Sequence, residues 1–117
     1  MFSLTSGHVY HLYRNPCDMR KSFDALSGIV ISQLGRNVTG GEVFVFLSKN
    51  RSCIKLLHWE KDGFVLYYKR LEKGTFSFPK IRPESTVIHW SELVLIIEGI
   101  EVEKIRQKPR FSVQNSS

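Results

Sequence analysis

Cysteine is scarce in this chain, with Cys17 and Cys53 standing far apart among 117 residues. That excludes a disulfide scaffold and a C-x-x-C metal or redox site, and it fits a reducing compartment. Long apolar runs are missing too, so no stretch approaches the roughly 18 apolar residues of a membrane span. Residues 1–7 carry neither a basic n-region nor an apolar h-region. A cytoplasmic protein with no membrane partner is expected.

Chemistry-bearing patterns are equally thin. His8 and His11 fall on opposite faces of an expected strand, and Cys17, Cys53, His58 and His89 follow no zinc spacing. Asp18 and Asp24 sit on one expected helix and Asp62 in a turn, so no carboxylates converge as two-metal recombination requires. Ser85, His89 and Ser91 lie close together but lack a nucleophile elbow and an acid partner. No Walker loop or dinucleotide fingerprint occurs. The chain is therefore expected to be no enzyme and to use no cofactor.

What the chain has is length for one core and an excess of positive charge. Seventeen Lys and Arg oppose eleven Asp and Glu, a formal +6 at 42% hydrophobic content. That balance favours a polyanionic partner. The excess concentrates in residues 49–82, where Lys49, Arg51, Lys55, Lys61, Lys69, Arg70, Lys73, Lys80 and Arg82 oppose Glu60, Asp62 and Glu72.

Periodicity predicts the elements. His8–Tyr13 reads as a first strand. Met19, Phe23, Leu26, Val30 and Leu34 make one stripe on a helix over 18–34, with Asp18 as N-cap and Gly35 as its stop. Glu42–Leu47, Ser52–Trp59 and Phe64–Leu71 follow as an antiparallel meander joined by four-residue turns. Thr75–Phe78 reads as a short edge strand before Pro79 and Pro83. Ser91 caps a second helix over 92–98 that ends at Gly99, although its β-branched residues leave a strand open. Together these give an α+β fold: one domain over 1–102, an antiparallel meander of about four to five strands, two helices covering one face, and a basic polar tail over 103–117.

Pairing Leu47 with Ser52 and Trp59 with Phe64 predicts the rows. One face carries Phe44, Lys55 and Tyr68 in one row and Phe46, Cys53 and Arg70 in the next; the other face carries Val45, Ile54 and Lys69. Cations interleaved with aromatics suit phosphates and unpaired bases, while the plainer alternative makes the aromatics core residues and the lysines snorkelling ones. The tail cations Lys104, Arg106, Lys108 and Arg110 read equally as an arm on DNA or a solvated terminus.

The blocks Asp18-Met19-Arg20-Lys21, Val43-Phe44-Val45-Phe46, Lys55-Leu56-Leu57, Trp59, Asp62-Gly63-Phe64, Leu66 through Gly74, Phe76-x-Phe78-Pro79 and Leu93-x-x-Ile96-Ile97-Glu98-Gly99-Ile100 occur in an order that resembles a bacterial family. It is the TnpB-type accessory protein, or second-reading-frame protein, of the insertion sequence sixty-six elements. The resemblance covers about Val9 to Ile100; Phe78 and Cys53 depart mildly from it, at positions where the family usually has Trp and a polar residue. It implies an accessory role in transposition beside a separate, larger transposase, and it bears no relation to the RNA-guided nucleases of the same name; DNA binding is the expectation that the basic and aromatic residues add. No agreed site travels with it. Arg20, Arg51, Lys55, Lys69, Arg70 and Lys73 are the candidate nucleic-acid contacts, and Trp59, Phe64 and Tyr68 the candidate contacts to transposase or another element-encoded protein. Gly63 and Gly74 are expected to take positive φ.

Overall fold

The chain's computed structural model describes residues 4–77 and 85–99. Its elements run β1 (Tyr10–Leu12), α1 (Phe23–Ile29), a π-helical turn (Val30–Leu34), β2 (Val43–Leu47), β3 (Cys53–Glu60), β4 (Gly63–Arg70), β5 (Val87–Ile88) and α2 (Trp90–Glu98). The five strands form one sheet in the order β4-β3-β2-β1-β5. The α+β class and the β2-β3-β4 meander are as the sequence predicts. Phe78, Pro79 and the 103–117 tail lie outside the described residues.

Two expectations about the sheet need correction. The sheet is mixed, because β1 pairs in parallel with β2, setting Tyr10 opposite Val43 and Leu12 opposite Val45. The chain between these strands contains α1, and a helical crossover returns a strand parallel to its predecessor. The helices also cover opposite faces. Leu93, Ile96 and Ile97 of α2 pack with Tyr10, Leu12, Val43, Val45, Ile54 and Leu56. Leu26 and Ile29 of α1, with Val30, pack with Tyr13, Phe44, Phe46 and Leu57. Strand β2 is buried at every position, which explains its unbroken apolar run.

The β3–β4 register agrees with the sequence reading, with Trp59 opposite Phe64 and Lys55 opposite Tyr68. The β2–β3 register is displaced by two residues, so that Leu47 faces Ile54 and Phe46 faces Lys55. A slip of two preserves faces and changes only the rows. Its cause is the turn. Ser48 N–H donates to the Cys53 carbonyl at 3.0 Å and Arg51 N–H to that of Ser48 at 2.9 Å, while Arg51 takes a left-handed φ of 58°. Asn50 Oδ1 holds the loop by accepting from Ser52 N–H at 3.1 Å and Ser52 Oγ at 2.8 Å.

Both helix starts also differ. Helix α1 begins after Ser22, because the Asp18 carboxylate instead accepts from Arg20 N–H at 2.9 Å and from its guanidinium at 2.7 Å. Helix α2 begins at Trp90 rather than after Ser91, and Glu92 Oε1 accepts from His89 N–H at 2.7 Å. This settles the helix-or-strand alternative as helix. Gly35 (φ 64°) ends the first helical segment and Gly74 (φ 79°) is left-handed as expected. Gly63 is not; the second hairpin places its positive φ of 61° on Lys61.

A polar clamp joins the 36–42 connection to the sheet. Arg36 donates to Glu42 at 3.0 and 2.6 Å, which holds that carboxyl below its ordinary range. Glu42 Oε2 lies 3.4 Å from His11 Nε2, and His11 Nδ1 lies 2.7 Å from Thr86 Oγ1. Buried His58 stands edge-on to His8 at 4.9 Å, and its pKa is pushed down by burial first and by His8 second. No described helix is long and apolar enough to cross a membrane.

Gly35→Ala should cost about 1 kcal/mol in urea unfolding, all of it backbone strain, since an added Cβ meets nothing within 4 Å. The depressed His58 pKa sets a pH dependence. The unfolded chain protonates this histidine near about 6.5, while the fold resists protonation. Stability is therefore complete above that value and declines as pH falls towards the lower folded pKa. His58→Gln should flatten this decline in unfolding titrations between pH 7 and 5.

Candidate nucleic-acid interface

Strand β4 is an outer strand of the sheet, and its end at Tyr68, Lys69 and Arg70 is exposed. Two backbone bonds bring the β2–β3 turn against the chain that leaves it. Leu71 N–H donates to the Ser52 carbonyl at 2.8 Å and Phe76 N–H to the Arg51 carbonyl at 2.7 Å. Phe76 is fully buried and anchors this crossing in the α2-side core. Lys49, Arg51, Lys69, Arg70 and Lys73 thus share one end of the sheet, with Glu72 as the acidic residue of these segments. Lys49, counted in the basic segment but not among the six candidate contacts, belongs to this group because the turn carries it there.

The structure separates the six candidate cations. Lys69 and Arg70 are exposed on opposite faces, opposite Ile54 and Cys53 respectively, so Arg70 faces solvent. Lys73 is exposed and Arg51 half-buried. Arg20 is exposed and ion-paired with Asp18 at 2.7 Å.

Lys55 is corrected most sharply, being 5% exposed. Its ammonium donates to the carbonyls of Met19 at 2.8 Å and Lys21 at 2.6 Å, and it sits 4.6 Å above the Tyr68 ring. A buried ammonium needs such partners to offset lost hydration. Lys55 therefore ties β3 to the segment before α1 and is not presented to a phosphate. Helical periodicity gave no sign of this, because the carbonyls belong to residues read as the first turn of a helix.

The aromatic candidates divide as well. Trp59 and Phe64 meet edge-to-face at 4.9 Å near the second hairpin, and Phe23 of α1, 41% exposed, joins Phe64 at 6.4 Å. Sequence reading placed Phe23 in a core stripe and so missed it as a surface group. Tyr68, half exposed, stays at the basic end. Phe44, Phe46 and Leu57 are fully buried, as the plainer reading of the aromatics holds. Both thiols are free and buried, and burial pushes the Cys17 pKa up, leaving an unreactive thiol. Among the described residues no group of three or more acidic, His or Cys side chains is placed to hold a metal ion.

The family model described as IS66 Orf2 like protein matches residues 8–107. The uncharacterized protein y4jC of Sinorhizobium fredii is 29% identical over 94 residues, covering 80% of each chain. The uncharacterized protein y4hO of the same organism is 31% identical over 84 residues, covering 72% of this chain and 73% of its own. No solved structure matches.

Lys55→Ala should destabilise the domain by about 2–3 kcal/mol in urea unfolding, because it leaves two carbonyls without their donor. Lys69→Glu, at an exposed position, should stay within about 0.5 kcal/mol of wild type.

Proposed function

Because the chain belongs to the IS66 Orf2-like family, which ties it to an accessory role in insertion-sequence transposition, we propose that it serves as a non-catalytic nucleic-acid-binding protein of that process. The observation that carries this reading is the gathering of Lys49, Arg51, Lys69, Arg70 and Lys73 at one end of the sheet by the Leu71–Ser52 and Phe76–Arg51 bonds. Four exposed cations with the half-buried Arg51, on a strand end and a pinned turn, suit phosphate oxygens spaced along a backbone. Tyr68 is the exposed aromatic among them, so the contact is to phosphate more than to bases, and it is tolerant of sequence.

A second reading rests on the other end of β4. Phe23, Trp59 and Phe64 form a partly exposed aromatic group, the residue type that anchors protein interfaces. Transposase is its proposed partner. Co-purification with transposase in nuclease-treated, high-salt buffer, lost in Phe23→Ser with Trp59→Ser, is the expected outcome there.

Fluorescence anisotropy with duplex and single-stranded element-end DNA tests the first reading. Five phosphate contacts give a slope of log affinity against log salt of about −4.5 for duplex. Lys69→Glu with Arg70→Glu should remove retention while leaving the unfolding transition in place. Absence of binding by the wild-type protein at low salt would overturn the nucleic-acid reading.

A further inference from the structure

We propose that β4 is a self-association edge: two copies of the chain pair their β4 strands antiparallel, with Leu66 at the two-fold and Asp62 of each copy beside Arg70 of the other. This inference shares Arg70 with the basic end but rests on the open backbone edge of β4, and its test reads mass rather than nucleic-acid binding.

The backbone pattern fixes which groups are open. Leu71 N–H donates to Ser52 O, which makes 52/71 a hydrogen-bonded pair of the antiparallel ladder. Counting by two along the register gives 54/69, 56/67, 58/65 and 60/63 as the other such pairs. Phe64, Leu66, Tyr68 and Arg70 therefore aim their N–H and C=O groups away from β3. No hydrogen bond reaches that side from the described residues. An eight-residue strand with an open edge is a template for another strand.

Symmetry narrows the partner strand. An antiparallel pair of identical strands has its two-fold perpendicular to the sheet, so facing residues lie on the same face. Phe64, Leu66, Tyr68 and Arg70 share one face and can bond only among themselves. Centring on Leu66 sets Phe64 opposite the second copy's Tyr68, an aromatic cross-strand pair, and covers Tyr68, which is 50% exposed in the single chain. The same register brings Arg70, which has no ion pair among the described residues, beside the second copy's Asp62 at the hairpin tip. Centring on Tyr67 instead keeps one more hydrogen-bonded pair. It also sets Asp62 beside Glu72 and leaves Arg70 without a carboxylate. Strand-end groups bond water when unpaired, whereas facing like charges are destabilising, so charge selects the Leu66 register.

Lys69 and Arg70 would otherwise guard this edge, since cations on edge strands oppose pairing. The Asp62–Arg70 complement removes that objection for a second copy specifically. The paired sheet sets the two Arg70 positions about 26 Å apart along the strands, at about 3.3 Å per residue.

Sedimentation equilibrium on the full-length protein across micromolar concentrations tests the proposal. Wild type should reach twice the chain mass. Asp62→Arg and Arg70→Asp should each raise the dimer dissociation constant at least tenfold, and the two together should restore it. Tyr68→Pro, which removes an outward N–H and no β3–β4 bond, should yield a monomer with a cooperative unfolding transition. A wild-type monomer at hundreds of micromolar overturns the proposal, including one that pairs this edge only with transposase. A dimer indifferent to all these substitutions assigns self-association to another surface. Failure of the charge swap to restore the dimer overturns the register.

Discussion

Everything in this fold depends on β2 being covered on both faces. Val43, Val45 and Leu47 point one way and Phe44 and Phe46 the other, and all five are buried. A strand apolar on both sides cannot sit in a sheet that shows one face to water. The helices must therefore divide, α2 to one face and α1 to the other, and α1 reaches its face by the crossover that makes β1 parallel to β2. The polar side of the molecule is pushed outward to β4, three strands' width from β1, and that is where its cations and its open backbone groups lie.

Lys55 marks the border between the covered and uncovered parts of the α1-side face. One row inward, Leu57 is fully buried beneath α1; one strand outward, Tyr68 is half exposed. The lysine fills the step between them with an apolar stem along β3 and an ammonium bound to the carbonyls of residues 19 and 21. Amphipathic side chains suit such borders. The charge that looked available for a phosphate is used to fasten the chain entering α1, so the protein's effective basic surface is smaller than its composition suggests and more localised.

The local features were legible in the sequence, and those that depend on chain reversal over distance were not. Alternation in Phe64–Arg70 and a tight Lys61-Asp62 tip determine the β3–β4 register, because the turn leaves no slack. Ser48–Ser52 admits more than one closure, and the Asn50 side chain with a left-handed Arg51 decides it two residues away from the simplest pairing. The TnpB-type family resemblance and the α+β class came from ordered blocks and periodicity. The parallel β1–β2 pair was missed because nothing in His8–Tyr13 records its direction. Asp18 looks like a helix cap by type and position, yet Arg20 two residues on competes for the same carboxylate at short range. Of the candidate site residues, Lys69, Arg70 and Lys73 lie exposed where the sequence suggested, whereas burial of Lys55 needs the backbone of residues 19–21 in three dimensions.

The β1–β5 pairing sets Tyr10 against Ile88 at nearly opposite ends of the described chain, while the β2-β3-β4 meander closes through two short turns. Local pairings form ahead of distant ones, since the chain entropy lost in closing a long loop must be offset by contacts that arrive late. A growing polypeptide can thus complete the hairpins as soon as Arg70 has emerged. The outer edge of β1 and the face that α2 covers stay open until residues 87–97 follow. The N-terminal strand is consequently among the last parts of the protein to be sealed, and a nascent chain halted before α2 carries an exposed apolar sheet face with Tyr10, Leu12, Val43 and Val45 on it.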